Sequence, residues 1–126
     1  MIHDRHFTVE EANAILDRLK PLLRELRDAR DVLTDTDSHS VLADAAPTNG
    51  GGEPGRKVGE AFLEVRRMLL TIQEAGILVR DIERGLIDFP ALRGGDEVYL
   101  CWELGEDGVA WWHDLDAGYG GRQPLD

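Results

Sequence analysis

The sequence predicts an α+β domain, an antiparallel two-helix hairpin packed on a four-stranded antiparallel β-meander. Three observations predict it. Segments 8–33 and 56–76 repeat apolar residues every three or four positions, as helices that bury one stripe do. From 77 to 116 the period shortens to two, and the apolar runs are separated by Glu83-Arg84-Gly85, Arg93-Gly94-Gly95-Asp96 and Gly105-Glu106-Asp107-Gly108. The chain of 126 residues is long enough for one core, and no apolar run approaches the roughly 20 residues of a membrane helix.

The first helix opens with a capping box, Thr8 and Glu11, and Phe7 with Ala12 can form a hydrophobic staple. Apolar residues follow at 9, 12, 16, 19, 23, 26 and 33, widened by Ile15, Leu22 and Ala29, while Pro21 removes one backbone donor and should bend the helix. Residues 34–55 have no sustained period and read as a flexible connection, with a short helical turn possible at "SVLADAA" and with His39 as a solvated loop residue. The GGG at 50–52 lacks the strand and lysine of a phosphate loop.

In the second helix Val58, Phe62, Val65, Leu69 and Ile72 make one stripe, Ala61, Met68 and Ala75 flank it, and Leu63 and Leu70 lie on another side. More of its circumference is apolar than one helix and a sheet would cover, which predicts a homodimer through the helices. Gly76 suits the C′ position that ends it.

In the sheet, alternation places Val98, Leu100, Trp102 and Leu104 on the core face and Tyr99, Cys101 and Glu103 on the other. A loop at 93–96 sets Phe89 opposite Leu100 in the core and Asp88 opposite Cys101 outside. A type I′ turn at Asp107-Gly108 sets Trp102 opposite His113, and a four-residue loop at 105–108 shifts the pairs by two without changing faces. Trp111, His113 and Leu115 then face the core, leaving Trp112, Asp114 and Asp116 outside. Pro90 belongs at a strand end or bulge. Two registers stay open for the first hairpin, one setting Asp81 against Asp88 and the other pairing Arg80 with Asp88.

The net charge is -11, and residues 77–126 hold four Arg against eleven acids, so a phosphate backbone would be repelled and nucleic acid is a poor partner. A single cysteine and the lack of a signal-like start point to a reducing, cytoplasmic setting.

The segments "FTVEEANAIL", "GILVRDIERGLIDFPALRGGDEVYLCWELGE" and "WHDLDAGYGGRQPL" resemble the bacterial family known as domain of unknown function 2203. The likeness spans nearly the whole chain except 34–55. It implies two helices plus a sheet in a small cytoplasmic bacterial protein, and it transfers no catalytic residue. One departure is Arg80, where the family pattern leads one to expect Lys, a change that keeps the charge but alters hydrogen-bond geometry.

Candidate site residues concentrate in the C-terminal half. Asp88, Glu103, Asp114 and Asp116 offer hard oxygen ligands for Mg²⁺, Mn²⁺ or Ca²⁺, for which Cys101 is a poor ligand. Acidic neighbours would also raise the Cys101 pKa and oppose nucleophilic use. His113, on the core face, would pair with Glu11 or Asn13 of the first helix, and it joins the acids as a metal ligand only if a bulge near Trp112 turns it over. Tyr99 and Trp112 form an exposed aromatic wall for a ligand or partner, and Arg122 folds back onto the acids of the sheet or grips an anion. The leading functional expectation is a self-associating, non-catalytic interaction domain. Its alternative is a divalent-metal-dependent hydrolase or small-molecule-binding protein.

Overall fold

The computed structural model describes residues 1–34 and 53–125. Helix α1 (Val9–Thr34) and helix α2 (Glu53–Glu74) pack on each other and on a sheet of strands β1 (Leu78–Asp81), β2 (Leu86–Arg93), β3 (Asp96–Trp102), β4 (Trp111–Asp114) and β5 (Gln123–Pro124). The strands follow sequence order and every pair is antiparallel. The fold is therefore α+β as expected, with five strands instead of four. The fifth comes from the tail at 117–126, where Trp111 pairs with Pro124 and Trp112 with Gln123. Of the expected connection at 34–55, Thr34 and residues 53–55 belong to the helices, and the rest, including His39 and "SVLADAA", lies outside the described residues.

The capping box forms reciprocally: Thr8 N donates to Glu11 Oε1 at 2.9 Å and Glu11 N to Thr8 Oγ1 at 3.1 Å. Helix α1 runs through Pro21 and buries Ala12, Leu16, Leu19, Leu23 and Leu26. On α2 the buried positions are Ala61, Met68 and Ile72, so Phe62, expected in the buried stripe, is 58% exposed beside Leu63 and Leu70. The apolar stripe is wider than the contact, and the helix is rotated so that the flank meets the core.

Phe89, Leu100 and Trp102 anchor the sheet side of the core, with Phe7 edge-on to Phe89 at 5.3 Å. The β2–β3 register is the expected one, Phe89 opposite Leu100 and Asp88 opposite Cys101, turned by Gly94 and Gly95 at positive φ. Pro90 lies inside β2 and not at an end. Its pairing with β1 stops at Asp88, and its carbonyl accepts the Phe7 N–H at 2.7 Å, so the missing donor breaks no ladder bond.

The β3–β4 register differs from both expected turns. Tyr99 pairs with His113 and Leu100 with Trp112, an odd shift that turns the strand over. Gly108 does not have the positive φ a type I′ turn demands, and the chain from 103 to 110 forms a loop instead. Asn13 Oδ1 accepts the Val109 N–H at 2.8 Å and ties that loop to α1. As a result Trp112 packs on the helix side, while Trp111 and His113 take the outer face.

In the first hairpin Leu78 pairs with Asp88, and the ladder is irregular between Val79 and Asp81. Neither expected register is adopted, yet the Arg80–Asp88 ion pair forms diagonally.

Candidate functional site

Strands β2, β3 and β4 each contribute one side chain to a buried polar cluster on the outer face: Asp88, Cys101 and His113, all at most 2% exposed. One oxygen, one sulfur and one nitrogen of these residues lie within 4.8 Å of one another. Asp88 and Cys101 are direct cross-strand partners, while His113, opposite Tyr99, reaches Asp88 diagonally.

The hydrogen bonds fix the ring. His113 Nδ1 lies 2.8 Å from the Asp114 carbonyl, which only accepts, so Nδ1 carries a hydrogen and donates it. Nε2 is left facing Asp88, 3.1 Å from Oδ1 and 3.2 Å from Oδ2. That contact needs one further proton, on the ring or on the carboxylate. On its other side Asp88 Oδ2 accepts from Arg80 Nε at 2.9 Å. Burial, and then the negative charge of Asp88, push the Cys101 thiol up to about 12, with Arg122 acting in the opposite direction.

A pocket of about 310 Å³ opens above the cluster, walled by Arg80, Leu86, Leu115, Asp116, Gly118 and Tyr119. The tail closes one side of it. Arg122 folds back onto the 103–110 loop and not onto an acid of a strand: Nη2 donates to Glu106 Oε1 at 2.7 Å and to the Cys101 carbonyl at 3.3 Å. Its guanidinium lies 5.1 Å from the Trp111 ring and 4.7 Å from the Tyr119 ring.

Of the sequence-derived candidates, Asp88 and His113 are brought together. His113 pairs with Asp88 and not with Glu11 or Asn13, because the odd register carries it away from the helices. Asp116 stands at the pocket rim, exposed. Glu103 is engaged by Arg84 at 2.7 Å and by the Tyr119 hydroxyl, which donates to it at 3.0 Å. Asp114 is exposed on the helix side of the sheet, so the expected row Asp88–Cys101–Asp114 becomes Asp88–Cys101–Trp111. Tyr99 is on the outer face as expected but buried, with its hydroxyl 2.7 Å from His3 Nε2. Trp112 leaves that wall for the helix side of the sheet, where it packs half-buried against the core with the exposed Arg93 4.7 Å from its ring.

Sequence reasoning missed two participants. Cys101, set aside as a ligand for hard ions, completes a mixed nitrogen, sulfur and oxygen set. Glu106 organises the loop: its carboxylate accepts from Glu103 N at 2.8 Å and its carbonyl from Trp102 Nε1 at 3.2 Å. Only its place in a glycine-bounded loop signals it in the sequence.

No curated protein and no solved structure matches the chain. With helix order, sheet and site in place, residues 5–125 match the family described as an uncharacterized conserved protein, DUF2203, and the chain belongs to that family.

Proposed function

We propose that this protein holds a transition-metal ion of the zinc class on Asp88, Cys101 and His113, and uses it on a small molecule in the pocket above, as a metal-dependent hydrolase or a small-molecule-binding protein. The observation that carries this reading is the convergence of three potential ligand atoms within 4.8 Å at the floor of a pocket. In a tetrahedral zinc site, ligand atoms about 2.0–2.3 Å from the ion lie roughly 3.3–3.8 Å apart, so the Asp88–His113 pair, now at 3.1 Å, opens slightly while the widest pair closes by at most about 1 Å to seat the ion.

Three further features support it. A ring nitrogen that donates to a backbone carbonyl is the usual outer-shell partner of a metal-bound histidine, and His113 Nδ1 has one in Asp114. Arg80 holds Asp88 through Oδ2, and an ion would replace the direct contact between Oδ1 and His113 Nε2. Three protein ligands leave a fourth position for water or substrate, as catalytic zinc sites do. An ion held by these three residues would supply Lewis-acid activation of a water molecule at neutral pH. The soft thiolate in the set favours zinc-class ions over Mg²⁺ or Ca²⁺.

The test is the metal content of protein purified without a histidine tag, followed by cobalt substitution. A stoichiometric ion and a thiolate-to-cobalt charge-transfer band, lost in Cys101→Ser, are the expected results. Failure to take up Zn²⁺ or Co²⁺ at micromolar concentration overturns the reading.

A second reading, self-association through the helices, is favoured by Phe62, Leu63 and Leu70, which are 58%, 63% and 45% exposed on α2. Light scattering on a size-exclusion column distinguishes a homodimer from a monomer, and a strict monomer at high micromolar concentration removes this reading. Among the described residues no helix is long and apolar enough to cross a membrane.

A further inference from the structure

The charge around the outer pocket is arranged unlike the rest of the chain, whose net charge is -11. At its floor, Arg80 Nε donates to Asp88, whose carboxylate also meets His113 Nε2. Asp88 engages Arg80 through Nε, Tyr99 lies against the same guanidinium, and no other carboxylate pairs with it among the described residues. Asp116, the other acid of the pocket, has no ion pair or hydrogen bond among the described residues.

Arg80 and Asp116 flank the cluster. Sheet order runs β1-β2-β3-β4, with Arg80 on β1, Asp88, Cys101 and His113 on the next three strands, and Asp116 just beyond β4. Three strand spacings of about 4.8 Å separate β1 from β4, and Arg80 leans across one of them to reach Asp88, which leaves roughly 10 Å between the opposite charges. An extended dipeptide spans about 7 Å, and a hydrogen bond of about 2.8 Å at each end brings the full reach to roughly 13 Å, so a dipeptide short of full extension bridges the two charges. A pocket of about 310 Å³ is of the size that small ligands fill, and Leu86, Leu115 and the Tyr119 ring give it apolar walls.

We propose that the pocket binds a short zwitterionic peptide of about two residues, its carboxylate on Arg80, its amino group on Asp116 and its amide bond above Asp88, Cys101 and His113. This deepens the metal-site reading and rests on it for any chemistry, but the binding step needs only the two flanking charges. A ligand without a carboxylate leaves the outward edge of the Arg80 guanidinium without an acceptor from the pocket, and a dianion meets Asp116.

Calorimetric titration of alanylalanine into the full chain, with zinc and with chelator, tests the proposal. N-acetylation or C-terminal amidation of the dipeptide is expected to weaken binding about tenfold each, the worth of one charge-assisted contact. Arg80 also supports a buried carboxylate, so the decisive variant is Asp116→Asn at an exposed position. It is expected to bind the free dipeptide about tenfold more weakly and to lose its sensitivity to N-acetylation. Equal binding of free and capped dipeptides, or no binding at millimolar concentration, overturns the proposal. Zinc uptake without peptide binding removes the ligand and spares the metal site, whereas peptide binding without zinc uptake removes the metal site and spares the ligand.

Discussion

The imidazole of His113 and the carboxylate of Asp88 meet in the outer face of the sheet at 3.1 and 3.2 Å, both almost fully buried, although 25 residues separate them in sequence. Without Asp88, His113 Nε2 loses its partner inside the protein and Arg80 loses its only carboxylate among the described residues. Asp88→Ala should therefore cost about 3–5 kcal/mol in urea unfolding. Asp88→Asn keeps an acceptor for Arg80 and an N–H for Nε2, and should cost only about 1–2 kcal/mol. Equal losses for the two variants would show that the pair contributes nothing beyond its volume.

Cys101 makes the metal-free protein sensitive to alkali. Its thiol, ordinarily at 9.0, is pushed up to about 12 by burial and then by Asp88, so the folded chain keeps a proton that the unfolded chain releases. The unfolded state binds fewer protons between those values, and stability must fall as pH rises through that window. With chelator present, urea midpoints should decline from pH 9 upward, and Cys101→Ala should flatten that decline. Alkylation by iodoacetamide at neutral pH should stay slow until the protein is unfolded.

How much of this was legible depends on the loops. The β2–β3 register follows from Gly94-Gly95, whose positive φ values are those a two-residue hairpin needs. The same logic applied to Asp107-Gly108 fails, because the loop is held from outside by Asn13 and from within by Glu106. No local pattern encodes a helix residue ninety-six positions away. Since one odd shift exchanges the faces of a strand, the register alone decides that His113 stands outside with Asp88 and Asp114 on the helix side. The two helices were legible from their period, but which part of the wide α2 stripe is buried was not, because rotation about the helix axis is decided by packing against α1 and the sheet.

Gly85 should be irreplaceable at the first hairpin. Its φ is +62°, and a Cβ there would lie 2.4 Å from Leu104 Cγ and 2.5 Å from its Cδ1. Its carbonyl also accepts the Leu104 N–H at 3.2 Å, so hairpin and β3 end are held together at this point. Gly85→Ala combines a strained backbone with overpacking and should destabilise by about 2–4 kcal/mol. Adding Leu104→Ala should return part of that loss, which thermal melts of the double variant can read. Simple addition of the two losses would show that the contact is not the cause.

The N-terminal segment should detach in acid before the core unfolds. Glu97 on β3 accepts the backbone N–H groups of Ile2 at 3.0 Å and His3 at 2.9 Å, and its Oε1 lies 3.3 Å from His6 Nε2. Burial alone would raise its pKa, but the bonds from Ile2, His3 and His6 outweigh it and hold the carboxyl below its ordinary 4.5. A depressed folded pKa means that the stabilisation is complete above 4.5 and is lost as pH falls through the lower, folded value. Backbone amide shifts of Ile2 and His3 should therefore hold steady down to pH 4.5 and then move together. In Glu97→Gln, which cannot carry the charge, those shifts should already be displaced at neutral pH and show no such step. Shifts that move together with those of the β3 core would instead mean that the segment and the sheet come apart as one unit.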